Sequence, residues 1–79
     1  MYSYPIDYDL FTQTEIVTLV EFFSLIEDAN EGNVNVEKLF SLYNEYRNII
    51  NSASLEKQMD KDFEKVSGYS IYQTLKNLK

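Results

Sequence analysis

Residues 12–31, TQTEIVTLVEFFSLIEDANE, constrain the chain more than any other stretch, because they fit one secondary structure and require neighbours. Thr12-Gln13-Thr14-Glu15 reads as a capping box, in which the Thr hydroxyl accepts from the Glu15 amide and the Glu15 carboxylate reaches back to the Thr12 amide. Behind it Ile16, Val17, Leu19, Val20, Phe22, Phe23, Leu25, Ile26 and Ala29 recur at helical spacing over well more than half the circumference. A narrow polar stripe of Thr14, Glu21, Ser24 and Asp28 remains. That is more apolar surface than one helix interface uses. Either this helix lies centrally in a bundle, or part of it meets a second copy of the chain in a homodimer. Gly32 supplies the positive φ that ends it.

The rest of the chain provides partners for that helix. A second helix is predicted over 35–50, with Asn35 as N-cap and a hydrophobic staple between Val34 and Leu39. Its apolar face is Val36, Leu39, Phe40, Leu42, Tyr43, Tyr46, Ile49 and Ile50, and the opposite side is polar. Asn51-Ser52-Ala53-Ser54 breaks the pattern and offers two serine N-caps for a third helix over 53–66, with a stripe of Leu55, Met59, Phe63 and Val66. Glu56, Asp60 and Glu64 form one row on that helix and Lys57, Lys61 and Lys65 the row beside it, a pattern expected of a solvated face. Ser67-Gly68-Tyr69-Ser70 then turns the chain into a short fourth helix from 70 carrying Ile71, Tyr72, Leu75 and Leu78. Residues 1–11 differ: Pro5 favours extended geometry at Tyr4, and Tyr2, Tyr4, Ile6, Tyr8 and Leu10 alternate as in an arm lying across a surface. The expected architecture is all-α: a small three-helix bundle with a short fourth C-terminal helix, in a single domain over 1–79 whose extended arm (1–11) packs on the bundle (12–79).

Composition narrows the functional classes. Seventy-nine residues hold one core, and without cysteine its stability comes from packing rather than disulfides or thiolate-bound metal. A reducing, cytoplasmic setting is the expectation, since there is neither a leader-like start nor ~18 consecutive apolar residues. Histidine, the side chain best suited to proton transfer near neutrality, is absent. Residues 1–40 carry a charge of −7 and residues 41–79 a charge of +1, within a chain of pI ≈ 4.4. Nucleic-acid affinity comes largely from phosphate contacts, so that balance disfavours a nucleic-acid partner for the molecule as a whole.

Four patterns suggest chemistry, and each has a plainer reading. Residues 27–38 imitate a calcium loop with Gly32 sixth, but Ala29 stands third without an oxygen and Lys38 stands twelfth in place of a bidentate Glu. No metal is expected there. Ser54-Leu55-Glu56-Lys57 matches the Ser-x-x-Lys of serine acyltransferases, yet helix capping is the reading preferred for Ser54. Tyr72-x-x-x-Lys76 matches a short-chain dehydrogenase pair, but no Gly-rich phosphate turn accompanies it, so no cofactor is expected. Segment 54–79 resembles a helix-turn-helix, with a local +2 over 57–79, and it carries the rival reading of a nucleic-acid-associated regulator. Against this, Glu64 stands where a small residue is usual, and Thr74 and Asn77 stand where apolar contacts are wanted. Seven tyrosines and no tryptophan are the remaining excess. Tyr4, Pro5, Tyr8, Tyr69 and Tyr72 are the candidate surface for a protein partner, the plainer alternative being that they close one end of their own bundle.

Tyr4-Pro5-Ile6-Asp7, the capping box, Glu56-Lys57-Gln58-Met59-Asp60 with Phe63-Glu64, and above all Ser67-Gly68-Tyr69-Ser70-x-Tyr72 resemble uncharacterised protein family 0223, the YktA-like bacterial proteins. Members of that family commonly carry a Trp just before the capping box, where this chain has Leu10-Phe11. The resemblance implies a cytoplasmic, all-helical bacterial domain and brings no activity, cofactor or catalytic residue. The sequence therefore points to a non-enzymatic interaction or adaptor domain, with a homodimer as one form it takes.

Overall fold

A computed structural model describes residues 4–78 as four helices: α1 (Gln13–Asn30), α2 (Val36–Ile50), α3 (Ala53–Ser67) and α4 (Ile71–Asn77). Each helix starts on a side chain that accepts from the third residue inside it. Thr12 closes both halves of its capping box, the Glu15 amide donating to Thr12 Oγ1 (3.2 Å) and the Thr12 amide to Glu15 Oε1 (2.9 Å). Asn35, Ser52 and Ser70 make only the one-way cap, accepting from the Lys38, Leu55 and Gln73 amides at the starts of α2, α3 and α4. Ser52, not Ser54, caps α3. Asn51 adopts the left-handed conformation (φ 47°) and closes α2 in one residue, so Ser52 is already extended and Ser54 falls within the first turn. Gly32 (φ 87°) and Gly68 (φ 82°) terminate α1 and α3, and beyond Gly32 the Asn33 amide donates back to the Asp28 carbonyl (2.9 Å).

Helix α1 lies centrally, packed on α2 and α4 through Leu19, Phe22, Phe23 and Ile26 and reaching α3 by a stack of Phe23 on Phe63, 4.8 Å between centroids. Its remaining apolar residues sit on the flanks: Val17 is 52% exposed, while Ile16, Val20 and Leu25 are half-buried. Four aromatic rings, Phe22, Phe23, Tyr46 and Phe63, stand among the aliphatic residues of the interior. Phe22 stacks on Tyr46 at 4.5 Å, Phe23 meets Tyr46 edge-on at 6.0 Å, and Tyr43 continues the series at 6.0 Å from Phe22. Met59 and Phe63 carry the α3 stripe, with Leu55 half-buried and Val66, expected on it, 39% exposed.

Helix α4 has seven residues and depends on tertiary contacts for its helicity. Ile71, Thr74 and Leu75 are buried. Thr74 stands where the sequence called for an apolar contact, and it is satisfied instead: Asn30 Nδ2 at the end of α1 donates to its Oγ1 (2.8 Å), which itself donates to the Ser70 carbonyl (2.7 Å).

The arm lies on its own bundle but does not hold the expected alternation. Ile6 is buried in the core, and Tyr4 packs against Phe23 (5.4 Å) and Phe63 (6.1 Å). Asp7 then folds the chain back. Its Oδ1 accepts from the Asp9 amide (3.0 Å) and its carbonyl from the Leu10 amide (3.1 Å), so Tyr8 and Leu10 face solvent. Tyr2, the first member of the alternation, lies outside the described residues.

Candidate functional site

The five residues singled out from the sequence do not form one surface. Tyr4, beside half-buried Pro5, sends its hydroxyl to Glu27 Oε1, and Tyr69 sends its own to Glu31 Oε2 (3.4 Å). Both therefore meet the last turns of α1, where Glu27, Asp28 and Glu31 gather with no basic residue to complement the helix dipole. Partial burial, then the charges of Glu31 and Asp28, push the Glu27 carboxyl above its ordinary value. Burial, followed by Asp28, likewise raises the Tyr4 phenol. Tyr8 is 60% exposed on the arm's turn. Tyr72, 65% exposed, belongs to a different place.

That place is a groove of about 230 Å³ between α2, α3 and α4. Ile71 and Leu75 are its buried apolar floor, Phe40 and Tyr43 of α2 form one wall, and Tyr72 and Lys76 of α4 form the rim. The third side is α3, which contributes Glu56 and Asp60. Both acids were expected on a solvated row. Asp60 is half-buried, because the Tyr46 hydroxyl at the centre of the core donates to its Oδ1 (2.9 Å). A fully buried phenol needs an acceptor, and helical geometry puts α3's carboxylate within reach. Burial raises the Asp60 carboxyl above its usual range, the Tyr46 bond pulls it partly back, and Glu56 raises it further. The Tyr46 phenol is pushed far above its ordinary value, by burial first and by Asp60 next.

Cations already lie on the rings of this groove. Lys76 Nζ stands 5.9 Å from the Tyr72 centroid, and the Arg47 guanidinium 5.8 Å from that of Tyr43. Arg47 Nε also pairs with Glu56 Oε1 at 3.7 Å, the one ion pair among the described residues. The Lys57, Lys61 and Lys65 row therefore makes no ion pair with its acidic neighbours on α3. Glu56 is shared with a second, more open hollow of about 570 Å³ that continues along the α2–α3 junction and is lined by Asn44, Arg47, Asn48, Asn51 and Ser52.

The residues of the enzyme-like and metal-like patterns are placed as follows. Ala29 is inside α1, and the Asn35 side chain of the calcium-like stretch is engaged with the Lys38 amide (3.1 Å). Among the described residues no group of three or more acidic side chains is arranged to hold a metal ion. Ser54 and Lys57 are exposed on α3, and Tyr72 and Lys76 make the cation–π pair on α4. No helix among the described residues is long and apolar enough to cross a membrane. Sequence reasoning missed Phe40, Tyr43, Glu56 and Asp60 as groove residues. The usable signal was Tyr46, a phenol on an otherwise aliphatic buried stripe, which needed a polar partner on the facing helix.

The model of the uncharacterised protein family UPF0223 matches residues 1–79. A UPF0223 protein of Bacillus cytotoxicus is 46% identical over 74 residues, covering 94% of this chain and 82% of the relative. One from Bacillus mycoides is 42% identical over 78 residues, covering 99% and 86%. One from Lactiplantibacillus plantarum is 37% identical over 75 residues, covering 95% and 76%. No solved structure gives a match.

Proposed function

We propose that this chain, which belongs to the uncharacterised protein family UPF0223, is a non-enzymatic interaction domain of the bacterial cytoplasm whose working surface is the groove between α2, α3 and α4. The observation that carries the reading is Tyr72: a large aromatic side chain left 65% exposed beside an apolar floor and a half-buried carboxylate. A tyrosine held at the edge of a partly apolar hollow is the arrangement enriched at protein interfaces. The residues around it support contact rather than turnover. The groove, at about 230 Å³, is smaller than the roughly 300–1,000 Å³ of small-molecule sites, and the adjoining hollow of about 570 Å³ is lined mainly by polar side chains where such sites are mostly apolar. Asp60 is tied by its Oδ1 to a phenol whose proton burial has made hard to remove, so that pair is poorly suited to proton transfer near neutrality.

The test places a photoreactive amino acid at Tyr72 and, separately, at exposed Glu21 on α1, in the bacterial host. A discrete protein adduct from position 72 and none from position 21 is the expected result. Adducts from position 21 alone would move the working surface to α1 and overturn the assignment.

A further inference from the structure

We propose that the groove receives an arginine side chain from an extended basic segment of a partner protein, with Asp60 and the Tyr72 ring as its principal contacts. This rests on the groove being the working surface, and it specifies the partner's chemistry.

The charge distribution comes first. Asp60 is half-buried and lines the groove, yet no cation among the described residues lies within ion-pairing distance of it. Its Oδ1 is occupied by Tyr46, whereas Oδ2 accepts no hydrogen bond from the described residues. No buried polar atom is left without a partner, so Oδ2 opens onto water or the groove. A carboxylate held among apolar residues with one oxygen open is stabilised by an incoming cation. Glu56 stands on the same wall but is already met by Arg47 at 3.7 Å, so Asp60 is the groove's acid without an ion-pair partner among the described residues.

The rings decide which cation. Tyr72 and Tyr43 already hold Lys76 and Arg47 at cation–π distance, which shows that positive groups can reach both rings. Guanidinium stacks on a ring while presenting a planar fork to a carboxylate, and it loses less hydration than an ammonium in doing so. The groove's size suits one long side chain. Lys76, exposed at the rim, is the internal stand-in that a partner's arginine displaces.

The adjoining hollow decides between a free amine and a peptide. Asn44, Asn48 and Asn51 line it and Glu56 joins it to the groove, so a main chain leaving the arginine passes a row of amides. Each amide can both donate to a peptide carbonyl and accept from a peptide N–H. A lone organic cation would leave that row unused.

The test titrates the isotope-labelled full chain with the peptide Gly-Ser-Arg-Gly-Ser and with analogues carrying citrulline or norleucine in place of arginine, following backbone amide shifts. Arginine is expected to move residues around Tyr43, Asp60 and Tyr72 saturably, with citrulline at least about tenfold weaker, the scale of one charge-assisted hydrogen bond. Asp60→Asn keeps an acceptor for Tyr46 and removes the charge. It should weaken arginine binding about tenfold while the helical circular dichroism signal is unchanged. Lys76→Gln removes the competing cation and should tighten binding roughly two- to threefold. Equal binding of citrulline, or no effect of Asp60→Asn, overturns the arginine assignment, and if the shifts still map to the groove the docking surface stands. Shifts confined to Glu27 and Glu31, or none with any peptide, also overturn it. The adduct at position 72 then decides separately whether the groove is a working surface.

Discussion

Replacing Tyr46 by Phe isolates one bond at the centre of the molecule. The ring remains, stacked on Phe22 at 4.5 Å, and only the hydroxyl that donates to Asp60 Oδ1 is removed. A hydrogen bond to a charged group is worth about 1.5–3 kcal/mol net, and Asp60 keeps some access to water, so the lower end applies: about 1.5 kcal/mol at neutral pH. For a domain of this size that is a fall of roughly 6–12 °C in Tm. The pH dependence is more discriminating. In the fold the Asp60 carboxyl lies above its ordinary value, by burial first, so the native state binds a proton more readily than the unfolded chain. Its ionisation therefore costs stability as pH rises from the ordinary carboxylate range through the raised folded value. The Tyr46 bond reduces that cost, because it favours the ionised form. Once Asp60 is protonated the bond joins two neutral groups and is worth about half as much. The loss caused by Tyr46→Phe should thus shrink to under ~1 kcal/mol below the folded Asp60 value. Urea unfolding followed by far-ultraviolet circular dichroism, with an unchanged slope, measures both limbs. A loss below ~0.5 kcal/mol at neutral pH, or one identical at both pH values, would refute the role given to this bond.

The other expectations follow from backbone conformation, the arm and the groove. Asn51→Gly relieves a left-handed residue at φ 47° and should raise stability by about 0.5 kcal/mol in urea unfolding. Gly68→Ala meets open space but a φ of 82°, so about 1 kcal/mol should be lost through backbone strain alone, with helicity unchanged. Ile6→Ala empties a core position supplied by the arm and should cost roughly 2 kcal/mol, with faster proteolysis near Tyr8. An unaltered midpoint would show that the arm contributes nothing. Asp60→Asn removes an ionisation that the fold disfavours, and for a half-exposed group the gain at neutral pH should be a few tenths of a kcal/mol. That gain should vanish as pH falls below the ordinary carboxylate value.

Local chemistry made the helices legible. Thr12 with Glu15, Asn35, Gly32 and Gly68 act at their own positions, and each sits in the structure where its short-range chemistry places it. Where two local signals competed, the sequence left the matter open: Ser52 and Ser54 are both good caps, and the left-handed turn at Asn51 chose between them. The arm's alternation failed for a similar reason, since the Asp7 turn rotates Tyr8 and Leu10 away from the face that Tyr4 and Ile6 bury. The groove was the least legible part. Glu56, Asp60 and Glu64 at four-residue spacing look the same whether or not a phenol from another helix lies across one of them. Tyr46 is fourteen positions from Asp60, and only the packing angle of α2 on α3 joins them.

The rings from Tyr4 through Phe63, Phe23, Phe22 and Tyr46 to Tyr43 touch in an unbroken series that runs from arm to groove. A half-turn of Phe22 or Tyr46 about its own axis needs its neighbours to give way, so their resonances should report slow flipping. Swelling that frees one of these rings loosens the next. A visitor lodged against Tyr43 would damp those flips as far away as Phe63, and a clipped arm would quicken them beside the groove.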